Sequence, residues 1–111
     1  MNNSGNHDFG LSQRDVNTLI NILRKYSAVA DVVLFGSRAK GTFKPGSDID
    51  LAVMNNGVSN AEILKIKNDL EESSLPYFVD VVNYPKIKTA DLINHIKRVG
   101  VSIYKKDEVV A

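Results

Sequence analysis

Three aspartates stand at positions where strands rarely carry them. Asp48 and Asp50 lie in GSDIDLAV and Asp80 in YFVDVV, Asp50 and Asp80 between apolar neighbours and Asp48 followed by one, and strands deplete aspartate. A two-residue spacing on an extended chain puts Asp48 and Asp50 on the same face. Like charges that close repel unless a proton or a cation compensates. Carboxylate oxygens suit a hard divalent cation such as magnesium or manganese, and Asp80 completes such a site if its strand neighbours that of Asp48 and Asp50. Upstream, Gly36-Ser37 precedes Asp48 by ten intervening residues. Gly36 allows close approach of backbone to a ligand, and Ser37 offers a hydroxyl and an amide at the start of a helical turn, where phosphate oxygens are favoured. Arg38, Lys40 and Lys44 flank the loop between them. Arg38 and Lys44 are the better candidates for holding a nucleotide's phosphates, although basic side chains on a loop are often merely solvated.

Each acid also has an ordinary reading. Asp48 could close a turn, Asp50 could keep an edge strand soluble, and Asp80 could pair with a lysine; Gly36-Ser37 could be a plain strand-ending turn. Their coincidence in one short domain is what argues for chemistry. Other motifs fail. The loop lacks the Gly-Lys-Ser/Thr ending of a Walker A sequence, and Ala52, Val53 and Ser59 stand where an EF-hand needs its third oxygen ligand, glycine and final glutamate. A Rossmann fingerprint is missing, and His95 has no partner at metal-ligand spacing, so it reads as a plain helix residue.

The elements that must position these residues follow from periodicity. Ser12 with Asp15, and Ser59 with Glu62, form capping-box patterns. They open helices over about Gln13 to Tyr26 and up to about Glu72. Asp31–Phe35 reads as a buried strand ended by Gly36, and Lys40 to Ser47, with two glycines and Pro45, as a loop. Asp48 to Met54 alternates, with Ile49, Leu51 and Val53 inward and Asp48, Asp50 and Ala52 on an open face. Asn55-Asn56-Gly57 is a turn. Tyr77 to Val82 reads as a third strand, Thr89 to about Val99 as a helix with Leu92, Ile93 and Ile96 inward, and Val101 to Tyr104 as a short last strand. The order αβ(turn)βαβα(β) predicts an α/β (α+β) domain with helices packed on a small sheet, strand directions open. Residues 1–8, which include His7, read as a tail, 9–106 as the domain and 107–111 as a second tail.

Composition sets the outer limits. The 111 residues suit one domain, and 14 basic groups against 13 acidic ones give a net charge of +1, which offers no general attraction for nucleic acid or an anionic membrane. The absence of cysteine excludes disulfides and thiolate metal sites. No apolar run is long enough to span a bilayer, and the polar start lacks the pattern of a signal peptide, so a cytoplasmic location is expected.

Gly36-Ser37, ten residues, then Asp48-Ile-Asp50 resembles the G-S-x10-D-x-D signature of the nucleotidyltransferase superfamily that includes DNA polymerase beta. The words LFGSRAKG and GSDIDLAV, with a third acid in FVDVV, are similar to the minimal nucleotidyltransferases of bacteria and archaea over about Phe9 to Tyr104. The resemblance implies a nucleotidyltransferase fold and metal-dependent transfer of an NMP group, AMP from ATP being the expected case, to a hydroxyl. In it Asp48, Asp50 and Asp80 would be the catalytic acids and hold two magnesium ions, with manganese as the substitute. Gly36, Ser37, Arg38 and Lys44 would face the nucleotide. It also implies a small all-helical partner of the HEPN type in a hetero-oligomer, the two forming a toxin–antitoxin pair. The competing expectation is a binding module that masks such a partner with little or no catalysis. A nucleic-acid polymerase is disfavoured by the neutral charge and the absence of length for a template domain.

Overall fold

A computed structural model describes residues 9–106; the expected tails at 1–8, with His7, and at 107–111 lie outside the described residues. Helix α1 spans Gln13–Arg24 and opens with the full reciprocal cap. The Asp15 amide donates to Ser12 Oγ at 3.0 Å and the Ser12 amide to Asp15 Oδ2 at 3.2 Å. Its last turn tightens, Lys25 and Tyr26 donating to Ile22 and Leu23, three residues back, so the helix stops two residues short of the expected Tyr26. Strand β1 is Asp31–Phe35. A short helix α2, Gly36–Lys40, follows at once and is closed by Gly41 in the left-handed region at φ 83°. It takes up the first residue of the expected loop.

Strand β2 is Ile49–Val53 and helix α3 is Asn60–Glu71, whose Ser59–Glu62 cap repeats the α1 pattern. Strand β3, Val79–Asn83, is followed by a 3-10 turn at Tyr84–Lys86, helix α4 at Ala90–Val99 and strand β4 at Val101–Lys105. β3 begins later than expected because Tyr77 is turned onto the Arg38 guanidinium, 4.5 Å from its ring centre.

The sheet runs β3-β2-β1-β4. β1 is antiparallel to both β2 and β4, and β2 is parallel to β3, with α3 as the crossover. One face carries the main core, in which Leu19 and Leu23 of α1 and Ile66 and Leu70 of α3 lie with Leu34, Leu51 and Val53 of the sheet, all fully buried. The other face is shared between α4 and the acids. Here the structure corrects the expectation of a wholly open face: Ala52 is fully buried, because Ile96 of α4 and Phe35 cover it. Only the end of β2 nearest Asp48 is left uncovered, and Asp48 itself sits just ahead of the strand, exposed.

Candidate active site

The register of the two parallel strands places Asp50 directly beside Asp80, and the antiparallel register places Phe35, the last residue of β1, opposite Asp50. Asp48, two residues before Asp50, extends the group toward the free end of β2. The sequence-predicted acids are thus gathered at adjoining positions on one sheet face, and β1 delivers Gly36 to the same place. Gly36 has φ 77°, and a Cβ on it would run into the Asp50 carboxylate. Glycine is required there twice over, for its backbone conformation and for its lack of a side chain. Ser37 is half-buried at the start of α2, and its carbonyl accepts from the Thr42 amide at 3.0 Å.

The electrostatics single out Asp50. Burial pushes its carboxyl above the ordinary value, and the negative charges of Asp80 and Asp48 push it further, while His95 on α4 opposes them. Its carboxylate accepts no hydrogen bond from the described residues. His95 packs edge-on against the Phe35 ring, centroids 6.0 Å apart. Asp80 has one cationic neighbour, Lys67 of α3, at 3.4 Å. The donor chemistry fits a divalent cation, since the three side chains are all carboxylates and Asp50 is crowded by the like charges of Asp80 and Asp48. Among the described residues, however, no three such side chains already converge into a cage; Asp80 is turned toward Lys67.

The basic residues divide. Arg38 is 2% exposed and its guanidinium faces inward. Nε and Nη2 donate to the Ser47 carbonyl at 3.1 and 2.7 Å, Nη1 donates to the Phe9 carbonyl at 2.8 Å, and Phe43 and Tyr77 flank it. The expected phosphate ligand is thereby committed to the protein's own backbone. Lys44 is exposed in the loop, its amide donating to Ser47 Oγ at 2.8 Å, and Lys40 is exposed at the end of α2. Neither is brought to the acids by an ion pair among the described residues.

Sequence reasoning missed three neighbours of the site. Lys67 was hidden because its contact crosses from a helix to a strand. His95 read as isolated because only the fold sets α4 over Phe35. Phe78, 54% exposed, precedes Asp80 by two residues and so shares its face; an apolar residue that stays exposed in a strand-like run leaves no local signal.

Comparison with known proteins decides the family. The model of the polymerase beta nucleotidyltransferase domain matches residues 17–109. The chain belongs to that family. Membership makes it a nucleotidyltransferase. Among solved structures, a toxin–antitoxin complex with AMP-PNP matches with a TM-score of 0.69 at 26% identity, over 86% of this chain and 77% of that one. A tri-AMPylated HEPN toxin in complex with its MNT antitoxin, from Shewanella oneidensis, matches with a TM-score of 0.64 at 23% identity, over 87% and 75% of the two chains. A MntA–HepT toxin–antitoxin complex gives 0.65 at 23%, over 88% and 76%. These matches agree with the mixed sheet and helices found here. Comparison with curated proteins by sequence finds no match.

Proposed function

We propose that this nucleotidyltransferase moves AMP from ATP to a hydroxyl on, or held by, a HEPN-type partner protein, and so acts as the antitoxin member of a pair. The observation that carries the reading is Asp50 beside Asp80 on adjacent strands, with Gly36 against the Asp50 carboxylate where β1 gives way to α2 and Asp48 two residues before Asp50. The AMP-PNP in one similar complex and the AMPylated HEPN toxin in another favour ATP as donor and a HEPN protein as acceptor.

In the proposed reaction the acceptor oxygen forms a bond to the α-phosphorus, the bond from that phosphorus to the α–β bridging oxygen breaks, and pyrophosphate leaves. Two magnesium ions held by Asp48, Asp50 and Asp80 would neutralise charge on the phosphates and on the acceptor oxygen. Asp80, at the edge of the sheet, would receive the hydroxyl proton. Ser37, with its hydroxyl and amide at the start of α2, would hold the phosphate tail, and Lys44 is an exposed cation for its outer end. Arg38 serves the same purpose indirectly by fixing the backbone at Ser47, just ahead of Asp48, and at Phe9, ahead of α1.

Incubation of the chain with ATP, magnesium and the HEPN-type protein, followed by intact mass of both, tests the reading. The expected result is the added mass of AMP on the partner, lost in the Asp48→Ala, Asp50→Ala double variant. Asp80→Ala is expected to abolish transfer while leaving part of the nucleotide binding. Transfer at the wild-type rate by the double variant would refute the assignment, and neutralisation of the toxin by both proteins alike would favour masking by contact.

A further inference from the structure

Beside Asp80 the surface changes character. Among the described residues the two exposed large hydrophobic side chains are Leu64 and Phe78, 58% and 54% exposed, and both flank β3. Phe78 lies on the face of Asp80. Leu64 lies on the α3 side of a groove of about 510 Å³ whose apolar wall is Ile63, Leu64, Val82 and Ile87 and whose charged lining residues are Lys67 and Lys86. Isolated exposed hydrophobics need no explanation, but Leu64 of α3 lines a groove with Val81 and Val82 of β3, and Phe78 stands just ahead of the same strand; apolar surface gathered beside a reactive group marks a contact surface.

The backbone adds a second feature. β3 is an edge strand, and the Phe78 carbonyl accepts from the Ile49 amide of β2 at 2.9 Å. In a parallel ladder the N–H and C=O of alternate residues point to opposite sides. Asp80 and Val82 therefore spend their main-chain groups on β2, and Val81 directs its own to the free edge, along the groove. Such an edge is a template for an added strand unless something blunts it.

From these observations we infer that the groove along β3 seats an extended loop or terminal segment of the otherwise helical partner, apolar and acidic in alternation, which pairs with Val81 and carries the acceptor hydroxyl to Asp80. The charge argument selects the acid. Both charged lining residues are lysines, and Lys67 already holds a carboxylate, that of Asp80. With Asp80 engaged by a cation, the Lys67 ammonium is left facing the groove and takes a carboxylate from the incoming segment. The apolar side chains of that segment cover Leu64 and Ile87. This deepens the proposed function, on which it rests for the identity of the partner.

The test reads binding without catalysis. Titration of the HEPN-type protein with wild type, Leu64→Asp and Lys86→Glu, in the absence of ATP, is expected to show Kd weakened by about ten-fold or more in each variant. Unchanged melting temperatures and unchanged AMP-PNP binding would show that both variants fold and keep the nucleotide side intact. Hydrogen exchange of the wild-type complex is expected to protect the Val81 amide. Wild-type affinity in both variants, or a Val81 amide that exchanges as in the free chain, would overturn the groove. A complex that weakens as expected while no AMP is transferred would leave the groove standing and defeat the enzymatic reading; AMP transfer with groove variants at wild-type affinity would do the reverse.

Discussion

Arg38 and Asp50 are two charged groups in the interior half of the same small domain, and they are treated in opposite ways. Arg38 is the more deeply buried, yet its guanidinium donates to two backbone carbonyls and lies between two aromatic rings. Asp50 is only half-buried, receives no hydrogen bond from the described residues, and faces two further carboxylates. Burial alone therefore does not mark the functional charge. A buried charge whose three nitrogens each donate to a backbone carbonyl is a structural bolt. One held among like charges, beside a glycine that leaves room for it, is waiting for a counter-charge that the chain does not itself supply.

The contrast makes Arg38→Met costly to stability. It leaves the Ser47 and Phe9 carbonyls without their donor and removes the stacked cation, a loss of about 3 kcal/mol. Urea unfolding at neutral pH measures it. A variant as stable as wild type that had lost ATP binding would return Arg38 to the phosphates. A smaller effect separates the two ends of the acid loop. Gly36 and Gly46 both have positive φ, 77° and 84°, but a Cβ at Gly46 meets open space whereas one at Gly36 meets Asp50. Each alanine substitution should cost about 1 kcal/mol from backbone strain. Gly36→Ala alone should also displace the Asp50 carboxylate and lower AMP transfer well beyond its stability loss. Equal transfer by the two variants would mean that the contact with Asp50 is incidental.

Much of this contrast was local enough to be visible in the residues. Ser12 with Asp15 and Ser59 with Glu62 act within one helical turn, so their caps follow from spacing. The pairing of Asp50 with Asp80 was a condition rather than a result, because nothing within either strand states that α3 returns the chain parallel to β2. The surroundings of Arg38 were out of reach for the same reason. Its acceptors are Phe9 and Ser47 and its rings Phe43 and Tyr77, and only tertiary packing converts a loop-flanking arginine into a buried one. Ala52 lost its open face to Ile96, more than forty residues away. Chemistry that depends on residue type and short spacing could be read from the chain; chemistry that depends on which distant side chain arrives to satisfy a charge could not.

The Asp50 half of the comparison predicts a pH-dependent effect of opposite sign and smaller size. Its carboxyl is raised in the folded protein, by burial first and by Asp80 and Asp48 after that, so the folded state holds the proton more tightly than the unfolded chain does. Stability from this group is fully present below the ordinary aspartate value of about 3.9 and is lost as pH rises through the higher folded value. At neutral pH the ionised group is a liability, and Asp50→Asn should raise the melting temperature of the metal-free protein by a few degrees. The gain should shrink as pH falls below the folded value and vanish once both states of the wild type are protonated. Magnesium should reverse the order, raising the melting temperature of wild type and leaving Asp50→Asn nearly unmoved, because only the carboxylate set offers a full counter-charge. Thermal melts across the acid range, with and without magnesium, check each limb. An Asn variant less stable at neutral pH, or a gap that ignores pH, would mean that the charge at Asp50 is already satisfied within the fold, and the distinction from Arg38 would collapse.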